Sequence, residues 1–346
     1  MSGAALLACR GIQDEWIVGE SHSLFTQVYK KHTHFASVVE KNDIRGQPKA
    51  GGLSTIQLRR TGDLVGYTYL TFDAGGEAQS TTDWTTLIES VEFVVGGTVI
   101  DRQTSEFMEK SLVDLFAKNV STASNGPHPG VGVASYFFPL RFWWCENVAS
   151  AFPMAACSLQ EVEIRVRWGA NANIVNYNWE CFSMYYYLDE AERNFFGTGQ
   201  TRHQLIYQVQ EVNASNDVIQ DLTALNHPIK FICSANNASN SPLKQTTNRL
   251  KIKVNGVDLF PFRYGKPHFV DCPFYYHTTN VTFPDIFLYP FCQTTSLLQP
   301  TGHLNASRVQ SLEIVSETLP LTDKIFAVNL NVLTFSNLLA GLRYAN

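Results

Sequence analysis

One series of signals runs through this chain twice, in the same order, and it leaves few folds open. In the first half a Gly96-Gly97 hairpin precedes Tyr136-Phe-Phe-Pro-Leu140, then Val162-Glu-Ile-Arg-Val166, then Met184-Tyr-Tyr-Tyr-Leu188. In the second half an Asn255-Gly256 hairpin precedes Phe287-Leu-Tyr-Pro-Phe291, then Leu312-Glu-Ile-Val315, then Phe326-Ala-Val-Asn-Leu330. Gly-Gly and Asn-Gly supply the positive φ that two-residue hairpin turns demand. Two copies of one eight-stranded sandwich would write such a series. The expected fold is therefore all-β, a double jelly-roll of two eight-stranded antiparallel β-sandwiches in tandem, with few short helices.

The remaining text agrees in kind. Strand-length stretches of apolar and β-branched residues predict strands over 33–40, 53–59, 64–73, 87–95, 98–102, 135–138, 159–168 and 179–188. A second set follows over 203–212, 227–234, 249–254, 257–262, 268–276, 286–292, 307–315 and 325–335. One helix is predicted, Glu106 to Lys118, from the spacing of Phe107, Met108, Leu112, Leu115 and Phe116. Gln299-Pro-Thr-Gly-His-Leu-Asn305 is turn chemistry that delays the next strand until Arg308. The charged run Asp189-Glu-Ala-Glu-Arg-Asn194, followed by Gly197-Thr-Gly199, reads as a junction. The expected organisation is an arm over 1–31, a first jelly-roll over 32–195 and a second over 196–346. The arm, with brief amphipathicity over 11–18, is expected to order on assembly.

Composition removes several functions. Charged residues are 16% and hydrophobic residues 45%, with 23 Phe, 14 Tyr and 6 Trp, more aromatic surface than two cores of this size would hide. A net charge of -5 with no basic block argues against direct nucleic-acid binding. Seven cysteines without a CxxC pair suit free thiols in a reducing compartment. No apolar run approaches the ~18–20 residues of a membrane span, and the start is too short for a signal-peptide core. The sequons at Asn119, Asn213, Asn237, Asn280 and Asn305 then read as loop asparagines.

Candidate chemistry is thin. His32 and His34 could share one face of a strand, yet no nearby carboxylate or cysteine completes a metal set. Glu161 and Glu163 alternate with apolar residues and read as one solvated face rather than a catalytic pair. Cys145 and Cys157 lie among Trp143, Trp144, Phe152 and Pro153, which suits inert buried thiols. GxSxG, HExxH and GxxxxGK[ST] motifs do not occur. No catalytic, cofactor-binding or metal residue is assigned, and no enzyme activity is expected.

Seven segments, in order, resemble the double jelly-roll major capsid proteins of nucleocytoplasmic large DNA viruses, of the iridovirus, phycodnavirus and asfarvirus type. They are Phe25-Thr-Gln-Val-Tyr-Lys-Lys-His-Thr-His-Phe35, Arg60-Thr-Gly-Asp-Leu-Val65, the hairpin Leu87–Asp101, Phe138-Pro-Leu-Arg-Phe-Trp-Trp-Cys-Glu-Asn147, Tyr187-Leu-Asp-Glu-Ala-Glu-Arg193 with His203-Gln-Leu-Ile206, Asn226-His-Pro228, and the closing part made of Gln299–Arg308, Ile325–Leu333 and the tail Leu342-Arg-Tyr-Ala-Asn346. His34, Asn194-Phe-Phe196 and Asn305-Ala-Ser307 depart from the usual pattern. The resemblance implies a structural subunit that homotrimerises into pseudo-hexameric capsomers of an icosahedral shell, assembled in the host cytoplasm. It implies as partners other copies of the chain, minor capsid proteins, the penton and an internal membrane scaffold. The chain's shortness implies a low outer face without loop towers. The competing reading is a carbohydrate-binding or glycan-cleaving protein on two β-sandwiches, which would show exposed Trp and clustered carboxylates in a cleft.

Overall fold

The computed structural model describes residues 3, 12, 27, 29–81, 83–112, 136–172, 177–236, 240–278 and 286–344. Residues 1–34 form one unit and 35–346 a second. Contacts described in the first are local, such as the Tyr29 hydroxyl donating to Gln27 Oε1 at 2.8 Å. Apart from Ile12, the amphipathic stretch over 11–18 lies outside the described residues.

The larger unit is built from strands in two successive sets. The first set is β1 (Phe35–Asn42), β2 (Ile44–Arg45), β3 (Leu53–Gln57), β4 (Leu64–Ala74), β5 (Ile88–Val95), β6 (Thr98–Thr104), β7 (Phe138–Pro139), β8 (Phe152–Pro153), β9 (Val162–Trp168) and β10 (Tyr177–Leu188). One sheet has the order β1-β10-β4-β7, with β8 also on β4; its companion runs β2-β3-β9-β5-β6. The second set is β11 (Arg202–Val212), β12 (Ile219–Asp221), β13 (Pro228–Ser234), β14 (Arg249–Val254), β15 (Val257–Asp258), β16 (Arg263–Tyr264), β17 (Leu288–Pro290), β18 (Leu304–Asn305), β19 (Leu312–Ser316), β20 (Ile325–Ser336) and β21 (Leu339–Leu342). Its sheets run β11-β20-β13-β17 and β12-β19-β14-β15, with β18 on β13, β21 on β20 and β16 on β14.

The duplication read in the sequence is present strand for strand. β1-β10-β4-β7 recurs as β11-β20-β13-β17, and β3-β9-β5-β6 recurs as β12-β19-β14-β15. Even the register repeats: Pro139 stands opposite Tyr69, and Pro290 opposite Phe231. A proline fits there because β7 and β17 end their sheets, where a missing N–H costs nothing. Both hairpins form as expected, with φ of 57° and 83° at Gly96 and Gly97 and of 51° and 76° at Asn255 and Gly256.

Helices depart more from expectation. The predicted helix starting at Glu106 is a π-turned segment, Phe107–Leu112, and 113–118 lie outside the described residues. Residues 268–276 are not a strand: a π-turn at Pro267–Asp271 leads into α3 (Cys272–His277). Pro267 and Pro273 stand at helix starts, where no N–H is needed, and Phe269, Val270 and Phe274 are buried while Tyr275 and Tyr276 are exposed. Two further helices are short: α1 (Trp143–Glu146) and the junction helix α2 (Glu190–Gly197). Asp189 caps α2, whose Arg193 reaches back to Asp63 at 2.9 Å. The strands expected over 135–138, 257–262 and 286–292 shrink to β7, β15 and β17. Inside the turn-rich tail Leu304–Asn305 already pairs with β13 as β18, and the next strand starts at Leu312, because Ala306–Arg308 closes as a 3-10 turn.

Aromatic packing fills both sandwiches. Phe93 meets Phe142, Trp143, Trp144 and Phe152 at ring separations of 5.1–5.6 Å. Trp168 and Trp179 are 4.5 Å apart. In the second sandwich Phe269 stacks on Phe287 at 5.5 Å. Below the turn-rich tail loop, the buried Lys230 amine donates to the carbonyls of Thr295 and Leu297 at 2.7 and 2.6 Å, which pins that loop to β13.

Just after β9, the backbone of Gly169 runs close to the β5 entry, where its N–H donates to Leu87 O at 2.8 Å. A Cβ there would lie 2.4 Å from Thr86 O, a backbone atom that cannot yield alone. Gly169→Ala is expected to destabilise the protein by about 1–3 kcal/mol, read as a lower urea midpoint. An unchanged midpoint would contradict that packing.

Candidate assembly surfaces

The two sandwiches meet along the free edge of β11. Backbone N–H groups on such an edge need partners. Val209 N donates to Asp101 Oδ1 at 3.0 Å, and Gln103 Nε2 donates to Asp101 Oδ2 at 2.8 Å. Gln208 Nε2 donates to Ile100 O, and Asn331 Nδ2 donates to Gln208 Oε1 at 2.7 Å. Beside this polar seam, Phe107 of the first sandwich packs on Phe326 of the second, ring centroids 5.2 Å apart, in a cluster with Phe231, Cys233 and Val328. At the other end Phe152 meets Phe335 at 5.9 Å, and Ala340 N donates to Gln160 Oε1 at 2.6 Å. Asp101 entered the sequence reading only as the end of a hairpin motif; a strand-end carboxylate gives no signal of its own burial.

Among the described residues, two surfaces gather exposed aromatic and aliphatic side chains. On the outer face of the first sandwich, Tyr67, Tyr69, Phe182, Tyr186, Tyr136 and Val148 line an aromatic groove of about 750 Å³. Tyr136 is 55% exposed and Val148 66%. Tyr69 and Phe182 stack at 5.5 Å across its floor. The adjacent edge strand β1 leaves Phe35, Val38 and Val39 exposed. In the second sandwich Val257, Leu259 and Tyr264 are exposed along the β15–β16 edge, with Tyr275 and Tyr276 beyond them on α3. Apolar clusters of this size on a charge-poor chain mark contact surfaces.

The sequence candidates for chemistry do not converge. Among the described residues no group of three or more His, Cys, Asp and Glu could hold a metal, and His32 Nδ1 lies 2.8 Å from Thr33 O. Glu163 pairs with Arg165 at 3.6 Å, while Glu161 lines a separate cleft with Arg45, Arg59 and Arg60. Burial pushes the Cys157 thiol up to about 12 and the Cys145 thiol well above its usual range. Trp84, Trp143, Trp144 and Trp168 are buried and Trp179 is half-buried, so none of these offers the open face a sugar stacks on. Asn119, Asn237 and Asn280 lie outside the described residues; Asn305 accepts from the Ser307 hydroxyl at 2.7 Å.

Comparison with known proteins follows the geometry. The family model described as major capsid protein N-terminus matches residues 23–191. A major capsid protein of Pyramimonas orientalis virus is 28% identical over 99% of both chains. One from Paramecium bursaria Chlorella virus 1 is 24% identical, again over 99% of both. In three dimensions the chain is similar to PBCV-1 VP54, with a TM-score of 0.77 at 22% identity over 94% of this chain and 100% of that one. The Faustovirus major capsid protein follows at 0.66 and 12% identity, over 91% and 93%.

The seam has a pH signature. Burial raises the Asp101 carboxyl from 3.8 to about 7, against its hydrogen bonds from Val209 and Gln103. Burial likewise raises Glu109, beside Arg141, to about 8. A carboxyl raised by folding contributes stability that is full below its ordinary pKa and lost as pH rises through the folded value. Stability is expected to fall between pH 5 and pH 8, by up to about 1.4 kcal/mol per pH unit for each group. Asp101→Asn keeps an acceptor for Val209 and should flatten that slope in urea titrations. An identical pH slope in the variant would contradict the assignment.

Proposed function

We propose that this chain, which belongs with the double jelly-roll major capsid proteins of nucleocytoplasmic large DNA viruses, forms a homotrimer that serves as a pseudo-hexameric capsomer. The chain is a structural protein of the virion's capsid shell, not an enzyme. The domain limits proposed with it are an arm over 1–31 and jelly-rolls over 32–195 and 196–346. The observation that carries the trimer is the placement of exposed aromatic and aliphatic surface. It lies at the groove and β1 on one sandwich and at the β15–β16 edge and α3 on the other, two different patches rather than one self-matching patch. Two unlike patches on one chain associate head to tail, and a head-to-tail contact either closes into a ring or grows without limit. Three chains of two lobes each close as a six-lobed block, the shape that tiles a curved sheet.

Contacts between capsomers are proposed to be weaker than those within one, with minor capsid proteins, the penton and an internal membrane scaffold as further partners, and assembly in the host cytoplasm. The carbohydrate reading lacks an exposed tryptophan among the described residues and gains nothing from the relatives. Obligate interfaces bury roughly 2,000–5,000 Å², so the trimer should persist at micromolar dilution. Light scattering is expected to return three times the 38.8 kDa chain mass. A dilution-independent mass of one chain would overturn the proposal.

A further inference from the structure

The second sandwich carries a cleft that neither exposed patch includes. Its floor is the middle of β20, where Leu330 and Val332 alternate onto one face, with Leu205 of β11 opposite Val332. Pro228 and Asn305, paired across β13 and β18, line it further. The tail loop adds Pro300 and His303, and Lys230 holds that loop in place. Arg343 and Tyr344 close it, with Arg343 N donating to Val332 O at 2.9 Å. The cleft encloses about 800 Å³, within the roughly 300–1,000 Å³ of small-molecule sites.

Its charge sets it apart from the other clefts. The one around Arg45, Arg59 and Arg60 contains Asp43 and Glu161, and Asp43 pairs with Arg59 at 2.8 Å. The aromatic groove sets Arg141 against Glu146 at 3.5 Å. The cleft on β20 is lined by Arg343, His227 and His303 and, among the described residues, by no carboxylate. Arg343 Nη1 donates to His203 Nε2 at 3.2 Å. A guanidinium has five N–H groups, and the others of Arg343 have no partner among the described residues. Asn226 Oδ1 accepts from Gln210 at 3.1 Å, and Asn305 Oδ1 accepts from the Ser307 hydroxyl at 2.7 Å. Both amides therefore keep their N–H₂ ends as unused donors. Uncompensated cationic and amide donors on one lining suit an anion, because charge-assisted hydrogen bonds are the strong ones.

The rest of the lining is mostly apolar: Leu205, Pro228, Pro300, Leu330, Val332 and Tyr344. A bare anion would leave that surface wetted, and an apolar body alone would leave the guanidinium without a counter-charge. We propose that this cleft binds an amphipathic carboxylate, an acyl chain whose carboxylate pairs with Arg343 and whose methylenes lie over Leu330 and Val332. The site is complete within one chain, so it stands or falls independently of the trimer.

Equilibrium dialysis of the full chain against submicellar dodecanoate tests this. Saturable binding of one dodecanoate per chain is expected, with octanoate weaker by about tenfold or more, since four methylenes are lost. Acetate, inorganic phosphate and dodecyltrimethylammonium are expected to show no saturable binding. Arg343→Gln should weaken dodecanoate by about tenfold or more through the head group, and Leu205→Gln should weaken it through the chain. Arg45→Gln, in the other cleft, should leave it unchanged. All three side chains are exposed, and an unchanged urea midpoint shows that each variant folds. Equal binding by the unsubstituted protein and both cleft variants overturns the proposal. Binding of dodecyltrimethylammonium as tight as that of dodecanoate overturns it too, because apolarity alone would then suffice. Binding of acetate or phosphate as tight as dodecanoate would reduce the site to one for a bare anion, and absence of saturable binding would remove it.

Discussion

A β-sandwich leaves a row of backbone donors and acceptors along every sheet edge, and those groups must be paired, covered or left to water. In this chain the edge of β11 cannot be left to water, because the sandwiches close over it. Asp101 supplies the acceptor that Val209 lacks, and Gln208 meets the carbonyl of Ile100. Once that edge is capped, Phe107 can descend onto Phe231 and Phe326, and β20 can be buried on both faces along most of its length. β10, its twin, has no such cover on its outer side. The difference between a strand buried on both faces and one whose burial alternates is thus a difference of neighbours, since the two strands hold the same place in their sheets.

Much of this was legible in the sequence, and the reasons differ by element. The hairpins were legible because Gly96-Gly97 and Asn255-Gly256 are chemically suited to positive φ. The repeat was legible because Pro139 and Pro290 mark the same sheet end. The stretch 268–276 misled because Phe269, Val270, Phe274, Tyr275 and Tyr276 are residues that favour strands, and short apolar runs do not reveal their period. The duplication itself contained the correction, since the first copy has a helical turn at the equivalent Phe107. Asp101 and the groove were not legible. Burial of a carboxylate and exposure of Tyr136 depend on what the rest of the chain brings near. The surplus of aromatics was visible as a number; its division into two unlike patches was visible only in three dimensions.

The economy of the arrangement lies in reuse. One strand order is used twice in the chain, and the contact between its two copies buries Phe107 against Phe231 and Phe326. The internal contact is strengthened by the covalent junction at α2, with Arg193 on Asp63. The matching positions differ in chemistry: Glu180 stands where the second sandwich has Phe326, and Pro267 where the first has Phe107.

A density map of the purified assembly, at a resolution that traces side chains, tests the central claim most directly. The expected result is a closed six-lobed ring in which one rotation of roughly 60° carries the first sandwich to the second and the second to the next chain's first. The groove floored by Tyr69 and Phe182 would lie within a contact between chains. An assembly in which that groove stays open to solvent, with the chains joined through other surfaces, would contradict it.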